Sequence, residues 1–264
     1  MALRRLLLRV IACGAGAVTI SLPWSGCGRA TAPDPGPIRA SSLSFSLQPE
    51  YGTAGQPIGP GIAVTVRNNN GDTAFSSSAT IRLAIMIGTG PVGAHLGGTT
   101  EVAAVNGTAT FFDVTIDSAA VGYRLLASAP GLGGAASDSF DITAGPPVKL
   151  AFAGQPGMTL AGDTITPPVR IAVQDSLGNT VLTAADPITV AIASNPGPGV
   201  LIGTSVRQAA AGVAVFPDLR IGEVGAGYTL QASASGLASA LSAPFAIVVS
   251  LRRSLALRRS QPRP

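Results

Sequence analysis

About 100 residues of this 264-residue chain occur twice, and that duplication limits what the chain can fold into. Leu43, Phe45, Gln48 and Pro49 return 107 positions later as Leu150, Phe152, Gln155 and Pro156. The register continues with Ala54-Gly55 on Ala161-Gly162, Pro60 on Pro167, Ile62/Val64/Val66 on Val169/Ile171/Val173 and Gly71 on Gly178. After residue 88 the second copy is two residues shorter, so the offset becomes 105. Leu96, Gly98-Thr99, Gly107, Phe111, Asp113 and Ile116 then meet Leu201, Gly203-Thr204, Gly212, Phe216, Asp218 and Ile221, and Gly122-Tyr123, Leu125, Phe140 and Ile142 meet Gly227-Tyr228, Leu230, Phe245 and Ile247. A unit of about 100 residues buries a core of its own, whereas the shorter units of solenoids do not. The repeat therefore predicts two domains, each able to fold alone: 42 to 145 and 146 to 249.

Within the first copy the apolar residues alternate with a period of two, which marks strands half buried on one face. Leu43/Phe45/Leu47, Ile62/Val64/Val66 and Ile81/Leu83/Ile85/Ile87 read as strands, followed by a Gly-rich loop from Gly88 to Gly98. Val102 to Val105, Asn106-Gly107 and Thr108 to Ile116 read as a hairpin, because Asn-Gly supplies the two positive φ angles of a type I′ turn. Tyr123/Leu125/Ala127 and Phe140/Ile142 bring the total to about seven strands, and the second copy repeats the set, with Gln174 to Asn179 as the turn matching Asn68 to Asp72. No stretch shows a helical period. The expectation is an all-β fold of two tandem Ig-like Greek-key β-sandwich domains.

Charged residues make up only 11% of the chain, and the formal net charge of +4 is not carried by the repeats. Residues 40 to 249 contain seven basic groups (Arg67, Arg82, Arg124, Lys149, Arg170, Arg207, Arg220) against twelve acidic ones, a net −5. Binding to phosphate backbones needs a basic cluster on a folded face, so nucleic acid is not an expected partner.

The ten remaining arginines lie at the two ends. Residues 1 to 27 open with Arg4, Arg5 and Arg9, continue through an apolar run from Val10 to Leu22 and reach Pro23-Trp24-Ser25-Gly26-Cys27. The run is shorter than the roughly 20 residues of a membrane-spanning helix, and the pattern is that of an export signal. Ser25-Gly26-Cys27 resembles a bacterial lipobox, in which the cysteine is diacylated, although Trp24 replaces the usual leucine; the alternative is ordinary cleavage near Ala30 and secretion. Both cysteines, Cys13 and Cys27, lie in this segment, so the repeats hold no disulfide. Residues 28 to 41, with Pro33, Pro35 and Pro37, read as a flexible tether, and Gly145-Pro146-Pro147 as a restricted hinge. Residues 250 to 264 form a basic tail with Arg252, Arg253, Arg258, Arg259 and Arg263, expected to be disordered and dispensable for folding.

A family resemblance follows from Phe152, Gln155-Pro156, Ala161-Gly162, Val169/Ile171/Val173, Asp175, Gly178-Asn179, Ile188 to Ile192, Asn195-Pro196-Gly197, Gly203-Thr204, Gly212-Val213-Ala214, Phe216, Leu219, Gly227 to Leu230 and Phe245. This pattern resembles the bacterial immunoglobulin-like (Big-type) repeats of surface and secreted proteins, over about four fifths of the chain. The resemblance implies an extended, non-catalytic spacer or adhesive module without a cofactor, located at the cell envelope either as a membrane-anchored lipoprotein or as a secreted protein. Its partner would be a protein or glycan at the cell surface, and its only membrane contact the lipid on Cys27. The Cys pair and core Trp of antibody domains are absent, while Tyr123 and Tyr228 occupy the place of a tyrosine corner.

The repeats are poor in catalytic groups. They have one His and one Lys, so Ser-His-Asp, Cys-His and Schiff-base mechanisms lack parts. His95 has no second His or Cys with which to hold zinc and reads as an exposed loop residue. Asp113, Asp117 and Asp218 raise the question of an acid/base pair or of calcium at the domain junction, but Asp113 and Asp218 are repeat equivalents and read as groups that fix the fold. A glycan-binding accessory module, the alternative function, wants exposed aromatic platforms; only Tyr51, Phe75 and Phe112 lack a repeat partner to mark them as core.

The repeat is also its own control, since a face that differs between copies is a candidate for function. If the strands alternate as read, Arg82, Ala84 and Met86 and Arg124, Leu126 and Ser128 point outward from two neighbouring strands. The matching set in the second copy is Thr189, Ala191, Ala193, Thr229, Gln231 and Ser233, small and uncharged. Arg82, Met86, Arg124 and Leu126 are therefore the candidate partner-binding face, arginine beside apolar groups being enriched at interface centres.

Overall fold

The computed structural model describes residues 37–249. Among them there is no helix, and two separate apolar cores form around the two copies.

In the first sandwich the strands are β1 Ala40–Leu47, β2 Tyr51–Thr53, β3 Ile62–Asn68, β4 Thr80–Ile85, β5 Leu96–Gly97, β6 Glu101–Ala103, β7 Thr108–Phe111, β8 Thr115–Ile116, β9 Ala120–Tyr123, β10 Leu125–Ser128, β11 Ala135–Ala136 and β12 Phe140–Thr143. One layer is β1-β3-β7. The other is made of β6-β4-β10-β11 and β2-β12-β9, joined because β9 and β10 are one run of chain interrupted only at Arg124. β4 lies against β10, with Leu83 opposite Ala127 and Arg82 opposite Ser128, which is the immunoglobulin arrangement of third and sixth strands.

The second sandwich repeats this plan with β13 Lys149–Gly154, β14 Thr159–Leu160, β15 Val169–Gln174, β16 Pro187–Ser194, β17 Leu201–Ile202, β18 Val206–Gln208, β19 Val213–Phe216, β20 Arg220–Ile221, β21 Gly225–Ser233, β22 Ala240–Leu241 and β23 Phe245–Val248. Its layers are β13-β15-β19 and β14-β23-β21-β16-β18, and β21 is continuous where the first copy breaks. Period-two burial explains both cores: Ile81, Leu83, Tyr123, Leu125 and Ala127 are buried in one, and Ile188, Val190, Tyr228, Leu230 and Ala232 in the other.

Tyr123 and Tyr228 form the expected corners. Each ring is buried, and each hydroxyl donates five residues back along the chain, to the Ser118 carbonyl at 2.8 Å and the Glu223 carbonyl at 3.1 Å. Asn106 and Gly107 take φ of 50° and 75°, as the turn requires.

Five local expectations are corrected. The strand ends at Ile85 and Ile87 is fully exposed, because the chain turns at Met86 to Thr89, where the Thr89 N–H donates to the Met86 carbonyl. Leu47 also points outward, since a bulge between Phe45 and Leu47 shifts the alternation. The arms around Asn106-Gly107 are not a paired hairpin: β6 joins β4 in one layer and β7 joins β3 in the other, so the turn carries the chain across the sandwich. The stretch 108 to 116 is two strands, β7 and β8, and β8 pairs with β5, which lies inside the stretch expected to be an irregular loop. β1 begins at Ala40, within the stretch expected to be tether. Cys27 and the tail from Ser250 lie outside the described residues.

Candidate functional site

The outer surface expected from the sequence forms where β4 and β10 pair. Arg82, Arg124 and Leu126 are exposed and Met86 is half-buried beside them, its N–H donating to the Arg124 carbonyl. Sequence reasoning missed a fifth member. Glu101 of β6 sits directly opposite Arg82, their charged groups 3.4 Å apart, because β6 was placed with its hairpin partner rather than beside β4. Both side chains are well exposed, so the pair contributes little to stability, but it sets opposite charges side by side on the face. The equivalent row in the second sandwich is Val206, Thr189 and Ser233, followed by Gln231 and Leu241. That face is neutral and carries exposed Val206 and Leu241.

A second constellation joins the two sandwiches, and its centre is a turn read from the sequence only as a turn. Asp175, 1% exposed, accepts the Leu177 and Asn179 N–H groups on Oδ1 at 2.9 and 2.8 Å. Its Oδ2 accepts the Gly145 N–H of the hinge at 2.9 Å and the Asn179 side-chain amide at 3.0 Å. Burial pushes the Asp175 carboxyl up, but the bonds from Asn179, Gly145 and Leu177 together outweigh it and hold the group below the usual carboxylate range. Asn179 then reaches the first sandwich, donating from Nδ2 to the Asp117 carbonyl at 2.9 Å and accepting the Ala119 N–H on Oδ1 at 2.8 Å. Leu177 lies over Gly55, with Cδ1 only 2.9 Å from where a Cβ on that glycine would stand. A groove of about 470 Å³ runs beside the contact, lined by Val121, Ile142, Ala144, Val181 and Leu182 among others.

One signal in the sequence could have exposed this junction. The aligned turns exchange their polar groups, Asn68 and Asp72 in the first copy against Asp175 and Asn179 in the second. Only the second order places an amide, which both donates and accepts, at the outer position.

The remaining candidates have local roles. Asp113 accepts the Thr99 N–H and hydroxyl, and Asp218 those of Thr204; each carboxyl is held below its usual range chiefly by the threonine hydroxyl. The two lie at matching loop closures, and Asp218 also stands 3.5 Å from Arg207. Asp117 accepts the His95 N–H at 2.9 Å and the Ser118 hydroxyl at 2.8 Å; burial pushes its carboxyl up, but these bonds prevail and hold it low. His95 is an exposed loop residue. Among the described residues no group of three or more His, Cys, Asp or Glu is placed to hold a metal ion.

Tyr51, Phe75 and Phe112 are all exposed, at 69%, 72% and 75%. They do not form one platform. Phe112 follows the residue paired with Ile62 at the start of β3, whereas Phe75 follows Ala74, bonded to Val66 near its end.

This topology defines an all-β protein of two Ig-like sandwiches joined end to end. No family model matches the chain, and no curated protein does. Among solved structures it is similar to the Escherichia coli adhesin FdeC, at 16% identity and a TM-score of 0.37 over 81% of this chain and 65% of that one. Domains 5–6 of the S-layer protein SbsC are similar at 12% identity and a TM-score of 0.30, over 81% of this chain and 100% of that one. A β-glycosidase from Bacteroides vulgatus is similar at 15% identity and a TM-score of 0.34, over 80% of this chain and 25% of that one. The chain thus spans a quarter of the glycosidase and less than two thirds of the adhesin.

Proposed function

We propose that this is a non-catalytic cell-envelope protein of the bacterial Ig-like repeat type, in which the first sandwich contacts a surface partner and the second acts as a spacer. The difference between two equivalent faces carries the reading. Arg82, Glu101, Arg124 and Leu126 on the first correspond to Thr189, Val206, Thr229 and Gln231 on the second, although the fold needs neither set. The junction supports the spacer role, because three side-chain bonds, linking Asp175 to Gly145 and Asn179 to Asp117 and Ala119, restrain the hinge that two prolines already stiffen. Attachment is through a diacylglyceryl group on Cys27, with secretion as the alternative. Among the described residues no helix is long and apolar enough to cross a membrane.

Two measurements test this. Cells displaying the chain should adhere to their target surface, and Arg82→Ala with Arg124→Ala should weaken that binding by about 1 to 3 kcal/mol without altering stability; undiminished binding, or measurable hydrolase turnover by purified protein, refutes the reading. Intact mass of membrane-extracted protein should show the lipid adduct, lost in Cys27→Ala. The second reading, a glycan-binding accessory module, is favoured by the exposure of Tyr51, Phe75 and Phe112. Glycan-array binding that disappears in Tyr51→Ala or Phe75→Ala would establish it instead.

A further inference from the structure

The far pole of the second sandwich rebuilds the surface on which the Asp175 to Asn179 turn lies in the first. Gly162 stands where Gly55 does, and their N–H groups donate to equivalent carbonyls, Ile221 and Ile116, at 2.9 and 2.8 Å. Gly222 and Val224 stand where Asp117 and Ala119 do, on a segment pinned by Tyr228 as the other is pinned by Tyr123. In the first sandwich this surface is filled by Leu177 and clamped by Asn179. Among the described residues it is open in the second: a Cβ on Gly162 would meet nothing within 4 Å. Among the described residues the Gly222 carbonyl and Val224 N–H have no hydrogen-bond partner.

The rim of this pole has also changed chemistry. Thr53, His95, Ala119 and Ala144 at the filled surface correspond to Leu160, Val200, Val224 and Val249 at the open one, which are 38%, 68%, 48% and 60% exposed. Four branched aliphatic side chains around one strand end form the kind of exposed patch that marks a contact site. Nothing in the sandwich itself requires them, since the first copy folds with polar or smaller residues at the same places.

We propose that this pole is a docking site for the Asp-x-Leu-Gly-Asn turn of another Ig-like sandwich, received as the first sandwich receives Asp175 to Asn179. The chain's own upper turn is not that occupant. Asn68 to Asp72 folds in the same way, with Asn68 Oδ1 accepting the Asn70 and Asp72 N–H groups at 2.9 and 3.0 Å. However, it carries Asn70 where the apolar Leu177 belongs, and Asp72 where Asn179 both donates and accepts. A carboxylate facing the Gly222 carbonyl is an acceptor against an acceptor. Copies of the chain therefore do not stack on one another through this turn, and the docking turn belongs to another sandwich that carries the Asp-x-Leu-Gly-Asn pattern. This inference stands apart from the adhesive face on the first sandwich.

The full chain tests it when it is given the missing turn. The triple variant Asn68→Asp, Asn70→Leu and Asp72→Asn should associate head to tail, so that sedimentation equilibrium shows a weight-average mass rising with concentration while the unaltered chain stays monomeric. Adding Val224→Arg, which places a charged side chain on the receiving pole, should return the triple variant to monomer. Circular dichroism and melting like those of the unaltered chain confirm that each variant folds. A folded triple variant that stays monomeric at about 1 mM, the effective concentration a short linker supplies, overturns the proposal, and so does association unaffected by Val224→Arg. Association of the unaltered chain that Val224→Arg abolishes would make a second copy the occupant and overturn the assignment to an Asp-x-Leu-Gly-Asn turn. If the triple variant associates only after deletion of residues 250 to 264, the pole belongs to the chain's own C-terminal segment, which also overturns it.

Discussion

Asn179 donates its side-chain amide to the backbone carbonyl of Asp117 at 2.9 Å, across 62 residues of sequence and from one sandwich to the other. The same side chain accepts the Ala119 N–H, so one residue satisfies a donor and an acceptor of a loop that would otherwise face water. Asn179→Ala should remove both bonds, at about 0.5 to 1.5 kcal/mol each, and loosen the hinge without unfolding either core. Limited proteolysis at residues 145 to 148 should accelerate several-fold, while the melting of the separate cores changes little. Asn179→Asp should be no better, because a carboxylate cannot donate to Asp117. Unchanged hinge cleavage in both variants would show that the prolines alone set the geometry.

Asp175 gives the junction a pH dependence of defined sign. Its folded carboxyl titrates below its ordinary value, near 3.9 in an unfolded chain, so the unfolded state takes up the proton first. The stabilisation is therefore complete above the unfolded value and is lost as pH falls through the folded one. Asp175→Asn replaces Oδ2 with an amide group facing two donors and should cost about 2 to 3 kcal/mol near neutrality. The gap between the two melting temperatures should be widest at pH 6 to 7 and narrow progressively below pH 4. A gap constant from pH 7 to pH 2 would remove Asp175 from the mechanism.

The paired turns allow a test of backbone strain. Ala211 stands where Asn106 does and has a φ of 48°, a conformation that costs an alanine roughly 1 kcal/mol and that asparagine tolerates. Ala211→Asn should stabilise the second sandwich by about 0.5 to 1 kcal/mol, and Asn106→Ala should destabilise the first by a similar amount. Each change corresponds to a few degrees in melting temperature for domains of this size. Shifts of the opposite sign would mean that side-chain contacts, not φ, govern these turns.

The two tyrosine corners should differ in reach. Tyr123→Phe and Tyr228→Phe each remove one hydroxyl bond to a backbone carbonyl, at about 1 kcal/mol. Tyr123 also pins Ser118, between the two residues that Asn179 holds, so its loss should loosen the hinge as well. Tyr228→Phe should leave hinge cleavage at the level of the unaltered chain. Equal effects on the hinge would show that Ser118 is positioned by the junction and not by the corner.

The amino-acid sequence by itself determined the all-β class, the doubling of the sandwich, most of both cores and the outward row Arg82, Arg124 and Leu126. These follow from a period of two and from residues that agree between copies, and both are properties of the chain read locally. Tertiary structure decided what the period does not encode. Leu47 escaped the core at a bulge, and Ile87 lay one turn beyond its strand. Glu101 joined Arg82 because β6 pairs with β4 and not with the strand that follows it. The junction was hidden for the same reason: Asn179 and Asp117 are silent in their own neighbourhoods, and only when two finished sandwiches meet does an amide at one turn find a carbonyl at the other. The exchange of Asn68 and Asp72 for Asp175 and Asn179 was visible throughout, but its meaning depended on which loop lies at which pole, a property of the fold as a whole.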